Sequence, residues 1–273
     1  MRANKLNTGR GFAWLDCGSA FIQKDPWSWI GMGVLYLLIA VLFDQLPFVG
    51  PLILILLTPI LVAGPFLTAE AFGGAPPAAE NPQGAAALAR KLGEVAGQAV
   101  VRLLQGFTDP EKVLHVMVIG AFTLGAVVLM QIIGQVLRIG SHTLTALPAA
   151  LLSGNLSPAL TASLIGLLLV LSIKLAVSMA VLYSVPLIVL RGEPPLAALQ
   201  MSFAGCARNW LPLSLYSLPF LIVYAIVAAL FSLWSPLGYL ALFSFGAVAA
   251  TWFLTGVYCS YRDLYTPTPS PPP

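Results

Sequence analysis

The feature that most constrains this chain is a series of apolar runs, each about 20 residues long, with almost no charge. The hydrocarbon core of a bilayer is about 30 Å thick and a helix rises about 1.5 Å per residue, so about 20 apolar residues cross it. Residues 27–46 and 211–233 are two such runs. Their length predicts that the chain is an all-α, polytopic membrane protein with the lipid bilayer as its main partner.

The composition supports this class. Hydrophobic residues make up 59% of the 273 residues and charged residues only 8%, whereas soluble domains carry about 25% charged residues. A water-soluble fold of this size would need a charged exterior that the chain lacks. The net charge of +3 is small, and there is no basic cluster with interleaved aromatic residues. Nucleic acid is therefore not expected as a partner.

Breakers divide the chain into about six transmembrane helices within a single membrane domain, residues 1–265. The predicted spans are 27–46, 52–72, 113–137, 165–190, 210–233 and 239–259. Asp109-Pro110-Glu111 is typical of a helix start, because it combines a capping side chain, a proline and an early acid. The proline-rich tail 266–273 is expected to be extended and disordered. Whether the apolar segment 147–152 re-enters the bilayer stays open.

Amphipathic segments are predicted outside the spans. Within the insert 73–110, apolar residues of 84–104 recur at spacings of three and four, which favours a helix. This helix either lies in the plane of the membrane interface or is a soluble connector. Shorter amphipathic segments precede span one, within 1–26, and span five, at 196–209.

The basic residues predict the orientation. With six spans, eleven of the thirteen lysines and arginines fall on the side that holds both termini. Arg138 falls on the other side and Lys174 lies within a span. Because loops rich in lysine and arginine stay in the cytoplasm, both termini are predicted to be cytoplasmic.

Motifs for catalysis or cofactor binding are not found in the sequence. There is no HExxH, GxSxG, Walker or GxGxxG pattern, and the two histidines, His115 and His142, are too far apart to share a metal. The three cysteines form no CxxC pair, and none falls in a segment expected outside the cell. A disulfide, a zinc site and any cofactor are therefore not expected, and the protein is predicted not to be an enzyme.

Three polar residues in the spans form the candidate site. Lys174 is a charge within span four, and such a charge is a functional hypothesis by default. The alternative is that Lys174 lies at the outer edge of the span and snorkels to the interface. Gln131 and Gln135, one turn apart in span three, either line a polar path with it or form ordinary hydrogen bonds between helices.

Small residues recur every four positions in span four. This stripe lets another helix approach closely, so span four is predicted to pack through it. Its members are Ser172, Ala176, Ala180 and Ser184.

Short motifs spread over most of the chain resemble an uncharacterised family of proteobacterial six-helix inner-membrane proteins. They are Gly11-Phe12-Ala13-Trp14, the turn at 47–52, Arg191-Gly192-Glu193-Pro194-Pro195, Ala198-Leu199, Ser202-Phe203, Cys206, Arg208-Asn209-Trp210-Leu211-Pro212, Tyr258 and Ser260-Tyr261-Arg262-Asp263. The resemblance implies the topology and the location. It implies no catalytic residue, because the family has no established activity.

Two functions are consistent with these patterns. The first is a non-enzymatic interaction or envelope-maintenance factor, whose partners are other membrane proteins or further copies of the chain. The second is a transporter or lipid-handling protein that uses a polar path near Lys174, Gln131 and Gln135. A polar cavity that includes Lys174 and reaches the middle of the membrane would favour the second function, and a packed apolar interior would favour the first.

Overall fold

The structure, a computed structural model, is an all-α bundle. It describes residues 3–73, 85–136 and 158–266, with the side chains of 85–92 and 159 left aside. Within these ranges there is no β-strand, and six helices are long and apolar enough to cross a membrane. The prediction of a six-span, all-α fold is confirmed. The segment 147–152 and the tail 267–273 lie outside the described residues.

The helices are numbered here in chain order. They are α1 (Arg10–Lys24), α2 (Pro26–Asp44), α3 (Val49–Phe72), α4 (Ala85–Leu104), α5 (Pro110–Val136), α6 (Pro158–Leu182), α7 (Ser184–Arg191), α8 (Pro195–Arg208), α9 (Trp210–Leu233), α10 (Ser235–Ala241) and α11 (Ala247–Tyr265). The fourth span combines α6 with α7, and the sixth combines α10, a π-helical turn at Leu242–Gly246 and α11.

Local chemistry explains several helix ends. The Asp25 side chain accepts a hydrogen bond from the backbone N–H of Ser28 at the start of α2, and Pro26 occupies the first turn. Asp109 caps α5 in the same way through the N–H groups of residues 111 and 112. Helix α7 ends because Gly192 adopts a left-handed conformation with φ of 70°, which glycine reaches without steric cost.

The first and last residues that the structure describes lie at one end of the bundle, which we call the basic end. The backbone N–H of Asn4 donates to the carbonyl oxygen of Leu264 at 3.0 Å. Asn209 holds the same N-terminal segment from the other side, because its amide nitrogen donates to the Asn4 carbonyl and its side-chain oxygen accepts from the Leu6 N–H. Arg102 of α4 pairs with Asp25 at 2.9 Å and lies over the Phe72 ring.

The short helices pack into this end. In α1, Gly11, Trp14 and Gly18 are buried against α9 and α11. In α4, Ala99 and Leu103 are each 2% exposed, where the helix packs on α2 and α3. The prediction of a helix at 84–104 is therefore confirmed. One face of this helix is covered by α2 and α3.

Glycines allow the closest of these approaches. A Cβ built on Gly64 would lie 2.2 Å from the carbonyl oxygen of Arg102 and 2.5 Å from that of Leu103. A Cβ on Gly33 would lie 2.6 Å from the carbonyl oxygen of Ala247. Because both neighbours are backbone atoms, they cannot move aside as a flexible side chain can. Contact of α4 with α3, and of α11 with α2, therefore depends on the missing methyl groups.

The first prediction tests this packing with a matched pair of glycine variants. Gly64→Ala is expected to lower stability by about 1–3 kcal/mol, because the new methyl overlaps the backbone of α4. Gly125→Ala, in span three, places its methyl in open space and is expected to leave stability unchanged or to raise it, since alanine favours helix. Thermal unfolding of the two purified variants in detergent measures the difference; equal midpoints would contradict the packing.

Candidate functional site

The three polar residues predicted within spans three and four are exposed on the bundle surface. These are Lys174 on α6 and Gln131 and Gln135 on α5. The described residues form three cavities, and Lys174, Gln131 and Gln135 line none of them. The structure therefore places the three residues on outward faces of their helices, and whether they have a function stays a prediction.

The positions of these residues along their helices follow from helix geometry. At about 1.5 Å per residue, Lys174 lies about 26 Å along the fourth span from Arg191, which is at the basic end. Gln131 lies about 32 Å along α5 from Pro110. Lys174 is therefore near the midpoint of the fourth candidate span, Leu160–Arg191, whereas Gln131 is within two turns of the end of α5. Whether Lys174 belongs to a polar path or snorkels to the interface stays a prediction.

The small-residue stripe of span four divides into two halves. Ala180 is 9% exposed and Ser184 is fully buried, so this half packs inside the bundle near α8. Ser172 and Ala176 are exposed, and the Ser172 hydroxyl donates to the carbonyl oxygen of Leu168 in its own helix. Close packing of another helix against Ser172 and Ala176 stays a prediction.

A cluster of charged and aromatic residues joins α1 to the last turns of α11. The Asp263 carboxylate accepts a hydrogen bond from the Trp14 indole N–H at 2.8 Å and from Nε of Arg10 at 3.1 Å. Arg10 also pairs with the same oxygen through a terminal guanidinium nitrogen. Trp14 is only 1% exposed. The Asp263 carboxylate therefore joins α1 to α11, the last helix of the sixth span.

A second polar contact lies about one turn before Asp263 on α11. The Tyr258 hydroxyl donates to the Glu70 carboxylate of α3 at 2.7 Å, and the Arg262 side chain also interacts with that hydroxyl. Both the Tyr258 hydroxyl and a guanidinium nitrogen of Arg262 would lie 3.7 Å from a Cβ on Gly73. The end of α3 therefore contacts the last turns of α11, which α1 also contacts.

Cys17 of α1 and Cys259 of α11 form a disulfide, with their Cα atoms 6.3 Å apart. The sequence-based expectation of no disulfide is therefore wrong for this structure. That expectation followed from the odd number of cysteines and from their assignment to the cytoplasmic side. It failed because residues 242 positions apart become neighbours when α1 packs along α11. Cys206 is the free cysteine and is buried.

The cluster surrounds a cleft of about 230 Å³ between α1 and α11. Its walls are Trp14, Phe21 and the cysteine pair, and its charged rim is Arg10, Arg262 and Asp263. Phe21 is held edge-on against Tyr258, with ring centroids 5.5 Å apart. The cleft therefore combines an apolar floor with two guanidinium groups and one carboxylate, and its chemistry suits binding of a group with negative charge.

Two further cavities are almost entirely apolar. One, of about 200 Å³, lies between α2, α3 and α11 above Leu103, and the Tyr36 hydroxyl is one of its few polar groups. The other, of about 270 Å³, lies between α9 and α11 beside the π-helical turn. Both lie in the spans, where lipid chains are the surrounding solvent.

The described residues contain no grouping of side chains typical of a metal site. Within the ranges that the structure describes, no three His, Cys, Asp or Glu side chains are grouped so that they could hold a metal ion. The cleft at the basic end, with its two guanidinium groups and one carboxylate, is the candidate site.

The fold and this site define a class of protein: a polytopic, all-α membrane protein with six candidate spans and a charged cleft where its first and last helices meet. Comparisons with protein families, with curated proteins and with solved structures find no match. The function is therefore argued from the geometry alone.

Sequence reasoning missed this cleft, although a signal was present. Gly11, Trp14 and Gly18 are spaced by three and four, so they share one face of α1. Two glycines beside a tryptophan on one helical face indicate close packing against another helix. The pattern does not identify that helix, and so the charge at Asp263 could not be connected with it.

The second prediction concerns the cysteines. Iodoacetamide labelling of the denatured protein without reductant is expected to modify one cysteine, Cys206, and labelling after reduction is expected to modify three. In the folded protein Cys206 is expected to react slowly at pH 7, because burial raises the pKa of its thiol to about 12 and the thiolate is the nucleophile. Intact-mass spectrometry counts the labels, and three labels before reduction would contradict the disulfide.

The third prediction concerns the carboxylate of the cluster. Asp263→Asn removes the charge that Arg10 and Trp14 share and is expected to cost about 1–2 kcal/mol of stability. The control is Asp109→Asn, because asparagine still caps a helix and the Asp109–Lys112 pair is exposed. Thermal unfolding in detergent compares the two; an equal effect of both changes would mean that the cluster adds nothing to stability.

Proposed function

We propose that this chain is a multi-pass protein of a bacterial inner membrane that acts without catalysis, as an interaction or envelope-maintenance factor. Its contacts would be made by the basic end, which would face the cytoplasm. The distribution of lysine and arginine supports this orientation. The resemblance to proteobacterial inner-membrane proteins supports the location.

The observation that carries the proposal is the apolar surface of the short helices. Helices α1 and α8 each project large hydrophobic side chains from the basic end: Phe12 is 58% exposed, Leu196 is 68% exposed and Phe203 is 44% exposed. Val101 of α4 is 65% exposed. These helices are packed against the bundle on their other faces, so the exposed residues are held on a firm support. Such residues next to a polar surface are typical of contact with a protein or with the membrane interface.

The transporter alternative depends on a polar path. Lys174, Gln131 and Gln135 are exposed on the bundle surface, and none of them lines one of the three cavities found among the described residues. The two apolar cavities lie between the spans, and their linings suit apolar chains and not a polar solute. The interaction function is therefore the better supported of the two.

The fourth prediction separates these functions in cells. A strain that lacks the protein is expected to be sensitive to detergents and large antibiotics. A variant with Phe12→Ser, Leu196→Ser and Phe203→Ser should fail to restore resistance, whereas Lys174→Met should restore it fully. Phe245→Ser is the matched control, because Phe245 is 64% exposed but lies in the sixth span.

Two results would contradict the proposal. Restoration by the triple variant, at normal protein level in the membrane, would exclude the short helices as the working surface. Loss of function in Lys174→Met with a normally folded protein would favour the transporter alternative.

A further inference from the structure

We propose that the cleft between α1 and the last turns of α11 binds the phosphodiester group of a membrane phospholipid. This inference does not rest on the proposed function. It follows from the position of the cleft, from the charge of its lining and from its apolar walls.

The cleft lies at the depth of lipid headgroups. Arg10 is the first residue of α1, and Arg262 and Asp263 lie within one turn of the end of the sixth span. Charged side chains are costly in hydrocarbon, so this end of the bundle is at the membrane–water interface. A phospholipid places its phosphodiester in the same layer.

The charge of the lining matches one anion. Two guanidinium groups, Arg10 and Arg262, and one carboxylate, Asp263, line the cleft. Asp263 is already engaged by Arg10 and by the Trp14 indole, so the lining itself carries an excess of one positive charge. Glu70 accepts from the Tyr258 hydroxyl, with which Arg262 also interacts, and Glu70 is not part of the lining. A phosphodiester carries a single negative charge, and the planar guanidinium group can bind two of its oxygens at once.

The walls are suited to the remainder of a lipid. Ala13 and Phe21 give the cleft an apolar side, against which a glycerol backbone and the first part of an acyl chain can lie. The Tyr258 ring and the disulfide hold this wall in place, since they join α1 to α11. A site with both a guanidinium group and an apolar wall fits a phospholipid better than free phosphate, which has no apolar part to bury.

The fifth prediction tests this site by native mass spectrometry. The full chain, purified in detergent, is incubated with phosphatidylethanolamine, with phosphatidylglycerol or with inorganic phosphate, and the bound adducts are counted. Both lipids carry the phosphodiester, so both are expected to remain bound, and inorganic phosphate is not. Arg262→Gln is expected to weaken lipid retention about tenfold, as loss of a charge-assisted hydrogen bond would.

The control is Lys112→Gln, which removes one positive charge from the basic end outside the cleft, where Lys112 is 40% exposed. It is expected to retain lipid as the unchanged protein does. If Arg262→Gln fails to fold, Ala13→Leu serves instead, because it fills the cleft and leaves every charge in place. Equal retention by the unchanged protein and by the folded cleft variant would overturn the proposal. So would binding of inorganic phosphate that displaces the lipid.

Discussion

Hydrocarbon accepts neither charges nor unpaired backbone groups, and the arrangement of this protein depends on that constraint. Backbone polar groups are satisfied within the helices, and ionic contacts such as Arg102–Asp25 and Arg10–Asp263 are made where the helices end. Because lipid tails are as apolar as the side chains, no hydrophobic force draws the spans together. Close backbone contact takes its place, and Gly33 and Gly64 permit it.

The disulfide and the charge distribution indicate different compartments for the basic end. Disulfides are typical of oxidising compartments, whereas loops rich in lysine and arginine are typical of the cytoplasm. The eleven lysines and arginines predict that the basic end faces the cytoplasm, where thiols are normally kept reduced. Reduction, however, requires a thiolate to reach the bond, and Cys259 is only 6% exposed while Cys17 is half-buried against it. Partial burial between α1 and α11 therefore limits the access of a reducing thiolate to the pair. The two bonded residues also lie in the wall of the cleft, so the oxidation state of the pair and the shape of the cleft are linked.

The spans could be predicted closely from the sequence because their signal is local. Twenty apolar residues identify a span without reference to any partner, and each predicted span agrees with an observed helix to within a few residues, except that the fourth and sixth are longer. The helix start at Asp109 was likewise predicted from adjacent residues. The cleft could not be predicted in this way, because it joins residues 10–21 to residues 258–266. Neither Arg10 nor Asp263 differs in its local sequence from an ordinary charge near a span end. Only the packing of α1 along α11 brings them together.

A lysine among leucines is distinctive in a sequence, whereas an arginine in a basic tail is not. In the fold, Lys174 is exposed on the bundle surface, and Arg10 becomes part of the cleft. The order of synthesis adds a further consequence. Helix α1 precedes every span and α11 completes the sixth, so neither the disulfide nor the cleft can form until all six spans have been inserted. Occupancy of the cleft is therefore a property of the fully assembled bundle, and a chain arrested before residue 258 would present Arg10 and Trp14 without their partner carboxylate.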